Sequence, residues 1–500
     1  RDVERSRGLG DVYKRQDLFR KRMTDNFRFY STACLVYAVF FVICLYRNDA
    51  GITFPLWAAG TCGFTVIMLK RSDVVIKPVS WFYMALVMLL GIAICLTGDR
   101  RIIVMNKFMI FFLMLVVLLG NFYDTENWKP IKHIEMMFGT VIISLGSIGR
   151  PFMDGSAYKR MHGAGKTAGK NVVKYILIGC AASIPLVCIV LVLLANADPV
   201  FAGQLRKIFV DLSFWEIFGN ILGMAAIGFI IYMVSYMWIS WLGRREYAVA
   251  ADKEGTGEPV IGITIFAILS VIYMVFCWIQ IRYLFLGGIL PHTATYSSYA
   301  RMGFFQLLFV SVINMLVVML GIYCFRNNVV LNVLMSVITC CTYVMMISSG
   351  MRIIKYIQYK YLTFSRIWVL LALIVIALVM AGVFVNIFNR KFRLFTYAFA
   401  VIAIMQTLFG FTRPDYWIAK VNTDNMNEDT RYEFFADSDL YDDEQYLESL
   451  GTDAAPVIYD CEDVLKDRTV ERYEDNISRY TKNIGVRNWN LSRFMAWRVD

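Results

Sequence analysis

Eleven long apolar runs, each about the length a bilayer demands, decide what this chain can fold into. They lie at 29–46, 51–69, 80–96, 102–123, 172–194, 214–242, 260–284, 302–324, 329–349, 364–387 and 394–411. A hydrocarbon layer of roughly 30 Å takes about 20 apolar residues in a helix. Lipid offers the backbone no hydrogen-bond partners, so each run has to be a helix. A β-barrel needs short segments of alternating polarity, whereas these runs are continuously apolar. Composition agrees. The chain is 58% hydrophobic and 18% charged, against about 25% charged in average soluble domains. The expected fold is therefore all-α, a polytopic transmembrane helical bundle of 11–12 spans with a small helical C-terminal extension. The twelfth candidate, 134–149, is short and holds Glu135. It spans, lies in the interface or re-enters, and eleven crossings are expected.

Residues 1–22 are read as a non-native remnant and basic leader, because 6–16 resembles a translated adaptor, with a native start expected near Met23 or upstream sequence lost. Residues 23–133 form a four-helix membrane part, 134–171 a basic connection, and 172–411 a seven-helix membrane domain. The acidic extension is 412–500. It holds 20 acidic and 11 basic residues, while the preceding 411 hold 39 basic and 19 acidic ones. The overall charge of +11 therefore says nothing about nucleic acid, and none is expected as a partner. Basic residues in the membrane part read as topology signals and contacts to membrane lipids.

Cytoplasmic loops are rich in Lys and Arg. Up to the fourth run, one side carries Arg20, Lys21, Arg22, Arg28, Lys70, Arg71, Lys77, Lys129 and Lys132, the other only Arg47, Arg100 and Arg101. The N-terminus is expected in the cytoplasm and the C-terminus outside. Five polar clusters, 196–201, 280–285, 299–305, 356–366 and 413–415, are separated by pairs of predicted helices, except that 280–285 and 299–305 share one connection. Parity puts all five on one face, the outer face in this scheme.

At these clusters a resemblance appears. Ala197–Asp198–Pro199–Val200–Phe201, Gln280-x-Arg282-Tyr283, Tyr299-Ala-Arg301-x-Gly303-Phe304-Phe305 and Leu362-Thr363-x-x-Arg366 resemble elements of the bacterial membrane proteins of the domain of unknown function 4173 family, whose sister family is numbered 4153. Arg413-Pro414-Asp415 stands where that family usually has Asn-Pro-Asp. Tyr446-Leu447 through Asp453-Ala454-x-Pro456, and Trp489-Asn490-Leu491-Ser492-Arg493, resemble two further elements. The resemblance covers 172–498. It implies a multi-pass membrane protein with no established activity.

The candidate polar site comprises Asp198, Gln280, Arg282, Tyr283, Tyr299, Arg301, Arg352, Arg366 and Asp415. Arg282 and Arg301 lie near helix ends, where long cationic side chains snorkel to the interface. That reading is favoured over an anion or substrate contact. Asp198-Pro199 reads first as a turn, and as a partner carboxylate second. Glu216, Asn220, Gln280, Asn314 and Asn332 interrupt apolar runs and are expected to bond between helices. Enzyme chemistry has little support. The three histidines, His133, His162 and His292, have no spaced metal partner, and no CxxC pair occurs among eleven cysteines. Gly163-Ala-Gly165-Lys166-Thr167 resembles a fragment of a P-loop without its first glycine or strand. No metal, cofactor or catalytic residue is expected.

Two functions remain open. One is a non-catalytic sensor, scaffold or accessory subunit with a membrane-protein partner. The other is a small-solute transporter with a path through 172–411. Oligomeric state is not legible. The acidic extension is expected to dock on the outer face, through Leu447, Leu450, Trp489 and Leu491, against Arg206, Lys207, Arg301, Arg352, Lys355 and Lys360.

Overall fold

The structure is a computed structural model that describes residues 21–126, 128–162, 214–243, 257–282, 296–359, 362–428, 445–461, 467–482 and 484–499, with 190, 194, 255 and 465. At 214–215, 296–304, 358–359, 425 and 427–428 only the backbone is described. The helices run, in chain order, α1 (Phe27–Leu45), α2 (Thr53–Arg71), α3 (Pro78–Leu96), α4 (Arg100–Phe122), α5 (Pro130–Ile142), α6 (Arg150–His162), α7 (Phe214–Leu242), α8 (Pro259–Gln280), α9 (Tyr296–Cys324), α10 (Val329–Tyr359), α11 (Phe364–Phe388), α12 (Leu394–Gly410), α13 (Pro414–Glu428), α14 (Ala455–Asp460), α15 (Asp467–Thr481) and α16 (Leu491–Val499). Among the described residues no β-strand occurs, only one isolated bridge between Gly257 and Phe325.

Eight of these helices are long and apolar enough to cross a membrane, or up to ten if each of two bent pairs is one span. The chain is thus an all-helical, multi-pass membrane protein. Most predicted runs coincide with helices. Of the run 172–194 only Val190 and Leu194 are among the described residues. The run 51–69 forms α2, but its threonines and glycines and its terminal Lys70 and Arg71 leave it too polar to count among the eight. The run 394–411 forms α12, which bends by 56° into α13. Around 134–149 lie α5, a 3-10 turn at Ile143–Ser147, and α6 after a 50° bend. With 13 residues, α5 is about 20 Å long at 1.5 Å per residue, short of a bilayer.

The chain forms two compact units. The first comprises 1–47, 60–76 and 138–248. Its α7 packs along α1, where Ser31 and Tyr232 share a hydrogen bond of 2.8 Å. The fully buried Tyr236 donates its hydroxyl to Asp154 of α6 at 2.9 Å. A Cβ on Gly155 would come within 2.9 Å of the Phe27 ring, so glycine is what lets α6 approach α1.

The second unit comprises 48–59, 77–137 and 249–500. Here α8, α9, α11 and α12 pack around α10 or its neighbours, and α12 also meets α3 and α4. Short connections at 97–99, 325–328 and 389–393 join successive helices that pack together, as expected for antiparallel neighbours. Phe266, Val318, Ile322, Leu331, Met335, Met380 and Val383 form the main apolar core. Polar side chains tie helices together: Asn314 donates to Thr342 at 3.0 Å, and Gln406 to Asn106 at 2.9 Å. Each such bond contributes about 0.6 kcal/mol within a membrane. The Asn332 side chain donates to the nearby Asn327 at 3.0 Å, and Glu216 is exposed.

Past α12 the chain turns polar. Ile418, Ala419 and Met426 of α13 pack with Leu447, Leu450, Ala454, Ile458, Tyr473, Ile477 and Ala496, and with Ile102, Phe364 and Phe409 at the helix ends. The C-terminal extension is therefore a small helical cap seated on one end of this unit. It carries α13 with it, outside the apolar span of α12.

Candidate functional site

Where the cap meets the helix ends, three carboxylates are buried: Asp99 at 1% exposure, Asp415 at 1% and Asp453 at 0%. Local sequence places each one. Asp99 is the N-cap of α4 and accepts the Arg101 backbone N–H at 2.8 Å. Asp415 follows Pro414, whose fixed φ suits the first position of α13. Asp453 sits in the 3-10 turn Thr452–Ala454 that leads into α14.

Each carboxylate takes one backbone N–H and one guanidinium. Asp99 also accepts from Arg101 Nε and Nη2, both at 3.0 Å. Asp415 pairs with Arg101 through its other oxygen and accepts the Gly451 N–H at 2.9 Å. Asp453 accepts the Gly98 N–H at 3.0 Å, the Thr97 hydroxyl at 2.6 Å and Arg413 Nε at 2.9 Å. The Arg101 guanidinium lies 4.0 Å over the Phe364 ring. Buried ions cost several kcal/mol each unless paired; each carboxylate here is paired, while Arg413 Nη2 is buried without a hydrogen-bond partner.

Neutral contacts complete the seat. Asn490 donates to the C-terminal carbonyls of α3, Ile94 at 3.0 Å and Thr97 at 2.9 Å. Its carbonyl caps α16 by accepting the Ser492 and Arg493 N–H groups. Tyr473 donates its hydroxyl to the Gly451 carbonyl at 2.8 Å, and burial, with Asp415 nearby, holds that phenol well above its ordinary range. The approach at Gly98 is close: a Cβ there would stand 1.9 Å from Thr452 Oγ1.

Three carboxylates face two guanidinium groups. Burial pushes the Asp415 carboxyl up to about 7, and Asp99 and then Asp453 add to this against Arg101 and the Gly451 N–H. The excess negative charge of the cluster thus favours a proton on Asp415 as pH falls below about 7.

Arg413 adopts φ +49°, a left-handed conformation that favours Asn among non-glycine residues. This accounts for the Asn expected there by resemblance. The arginine accepts the strain and gains the ion pair to Asp453.

The predicted site residues divide between this seat and a second group. Gln280 accepts from Ser348 at 2.8 Å and from Arg352 at 3.1 Å, joining α8 to α10. Arg366 lies 4.4 Å over the Tyr356 ring. Arg282 is exposed just past α8. Asp198 and Tyr283 lie outside the described residues, as do the side chains of Tyr299 and Arg301. The second unit thus gathers Gln280, Arg282, Arg352, Arg366 and Asp415 at the ends where α8, α10 and α12 finish and α11 begins.

The docking expected of the extension is present, but with other charges. Leu447 and Leu450 are buried in the seat, whereas Trp489 and Leu491 are partly covered. The partners are Arg101 and Arg413, while Arg352 donates to Gln280. Of the other predicted cations, Arg206, Lys207, Lys360 and the Arg301 side chain lie outside the described residues. Asp99 went unnoticed in the sequence, and Arg101 counted only as a topology charge. The available signal was a polar break, Thr97-Gly98-Asp99-Arg100-Arg101, on the same predicted face as the acidic extension.

Among the described residues no group of three or more His, Cys, Asp or Glu is arranged to hold a metal. No curated protein and no solved structure matches the chain. The family that does match is the sister of the one whose elements the motifs resemble. From within α3 to the end of α14, residues 84–461 match the domain of unknown function DUF4153, and the chain belongs to that family.

Proposed function

We propose that this is a non-catalytic protein of the bacterial cell membrane that holds a rigid cap on the outer ends of its helices and presents it to a membrane-protein partner, as a sensor, scaffold or accessory subunit. The observation that supports this is the mode of attachment. Three buried carboxylates and Asn490 join cap to bundle, which suits a fixed platform better than a mobile arm. The basic residues Lys77, Lys129, Lys132, Arg390, Lys391 and Arg393 gather at the opposite end, in keeping with a cytoplasmic orientation there.

The test uses a cysteine at Val486, which is 90% exposed on the cap. In intact cells it is expected to react with a membrane-impermeant maleimide. Reaction only after permeabilisation would reverse the orientation. A photo-crosslinker at the same position should give one discrete adduct with another membrane protein, lost when Asp453→Ala releases the cap. A transporter is the second reading, favoured by the polar group Gln280–Ser348–Arg352 inside the bundle. Solute flux in proteoliposomes, without an adduct in cells, would select it.

A further inference from the structure

We propose that the end of the second unit opposite the cap binds the phosphate of an anionic phospholipid. An open cavity of about 80 Å³ lies there between α3, α4, α5 and the start of α12. Lys77 and Arg393 line it, with the hydroxyls of Ser80, Thr125 and Thr396 and the carboxylate of Glu126.

The cations are held but not saturated. Lys77 Nζ donates to the Tyr123 carbonyl at 3.2 Å, and an ammonium has two further protons to give. Arg393 pairs with Glu126 at 2.7 Å, both 55% exposed, and a guanidinium has five N–H donors in all. Ser80 accepts from Asn121 at 2.7 Å, which leaves its own proton for a ligand. Two cations against one carboxylate give the cavity a net positive charge, and Lys129, Arg390 and Lys391 belong to the same end.

The rest of the wall is apolar. Val79, Val116 and Leu119 line it, and Phe395 is stacked on His133 at 4.1 Å between centroids. Val79 and Phe82 continue this surface outward as exposed apolar residues of α3. A soluble anion has no use for such a wall, whereas an acyl chain does. Basic pockets between membrane helices suit anionic head groups for this reason. The ligand class is therefore a phospholipid with a net negative head group, its phosphate at Lys77 and Arg393 and its chain along α3.

The test is thermal unfolding of the full chain in neutral detergent, titrated with phosphatidylglycerol, with phosphatidylcholine of the same chains, or with inorganic phosphate. Phosphatidylglycerol is expected to give a saturable rise in melting temperature, and the other two none. Lys77→Gln with Arg393→Gln should weaken binding roughly 25-fold, about fivefold per cation, while Arg100→Gln at the cap end leaves it unchanged. An equal response to phosphatidylcholine, or an unchanged double variant, would overturn the site. A full response to inorganic phosphate would overturn the lipid assignment. Should the double variant not fold, a photoreactive phosphatidylglycerol on the wild-type protein decides: adducts within 77–83 or 393–396 support the site, and adducts elsewhere alone refute it.

Discussion

The two polar groups at the cap end of the second unit solve burial in opposite ways. Beneath the cap, Asp99, Asp415 and Asp453 are ionisable and almost fully covered, and each is met by a backbone N–H and an arginine. Between α8 and α10, a neutral amide, Gln280, receives a hydroxyl and one arginine from a single neighbouring helix. Loops expose free N–H groups at helix starts, whereas mid-helix N–H groups are already used. Carboxylates are therefore buried where turns meet, and the packed seam between α8 and α10 makes do with an amide.

The comparison breaks most visibly at Asp453. Replacing it by alanine strands the Arg413 guanidinium, the Thr97 hydroxyl and the Gly98 N–H. Removing one partner of a buried ion pair costs about 3–5 kcal/mol, so the cap is expected to undock. Limited proteolysis across α15, from Arg468 to Arg479, reports this: the wild-type protein should resist cleavage there and the variant yield rapidly. Equal resistance would mean that apolar contacts alone hold the cap.

A gentler probe is pH. The folded Asp415 carboxyl lies near 7, above its unfolded value of about 3.9. Its contribution is thus fully present below the unfolded value and is lost as pH rises through 7. The slope is at most about 1.4 kcal/mol per pH unit for one proton. Thermal release of the cap should come at lower temperature at pH 7.5 than at pH 5.5, and Asp415→Asn should flatten that dependence. A flat wild-type profile would show that Arg101 keeps the carboxylate ionised throughout.

The smallest effect is expected in the other group. Ser348→Ala removes one interhelical bond to Gln280, worth about 0.6 kcal/mol, and the melting temperature should barely move. A loss comparable with that of Asp453→Ala would erase the distinction between the two groups.

The sequence made the spans legible because a bilayer imposes length and continuous apolarity on each one separately. It also made the common end of Gln280, Arg352, Arg366 and Asp415 legible, since counting helices fixes parity without any contact being known. Pairing was another matter. Asp453 and Gly98 stand 355 positions apart, and nothing local in Thr97-Gly98-Asp99 names a partner. Arg101 looked like a topology charge because a cation flanking an apolar run is ordinarily that. Asn490 was visible within a recurring element, yet its role as a clamp on the α3 carbonyls depends on a turn folded elsewhere.

That separation orders events in the life of the protein. The turn at Thr97–Asp99 is made 356 residues before Asp453, and ribosomes add about 5–20 residues per second. For roughly 20–70 s the α3–α4 hairpin sits in the membrane with its Ile94 and Thr97 carbonyls and its Gly98 N–H awaiting their final partners. The cap is the last part of the described chain to be synthesised, and its Asp453 and Asn490 close those groups. A chain that stalls before Asp453 leaves those polar groups bare, so the seat forms only after the cap has been made.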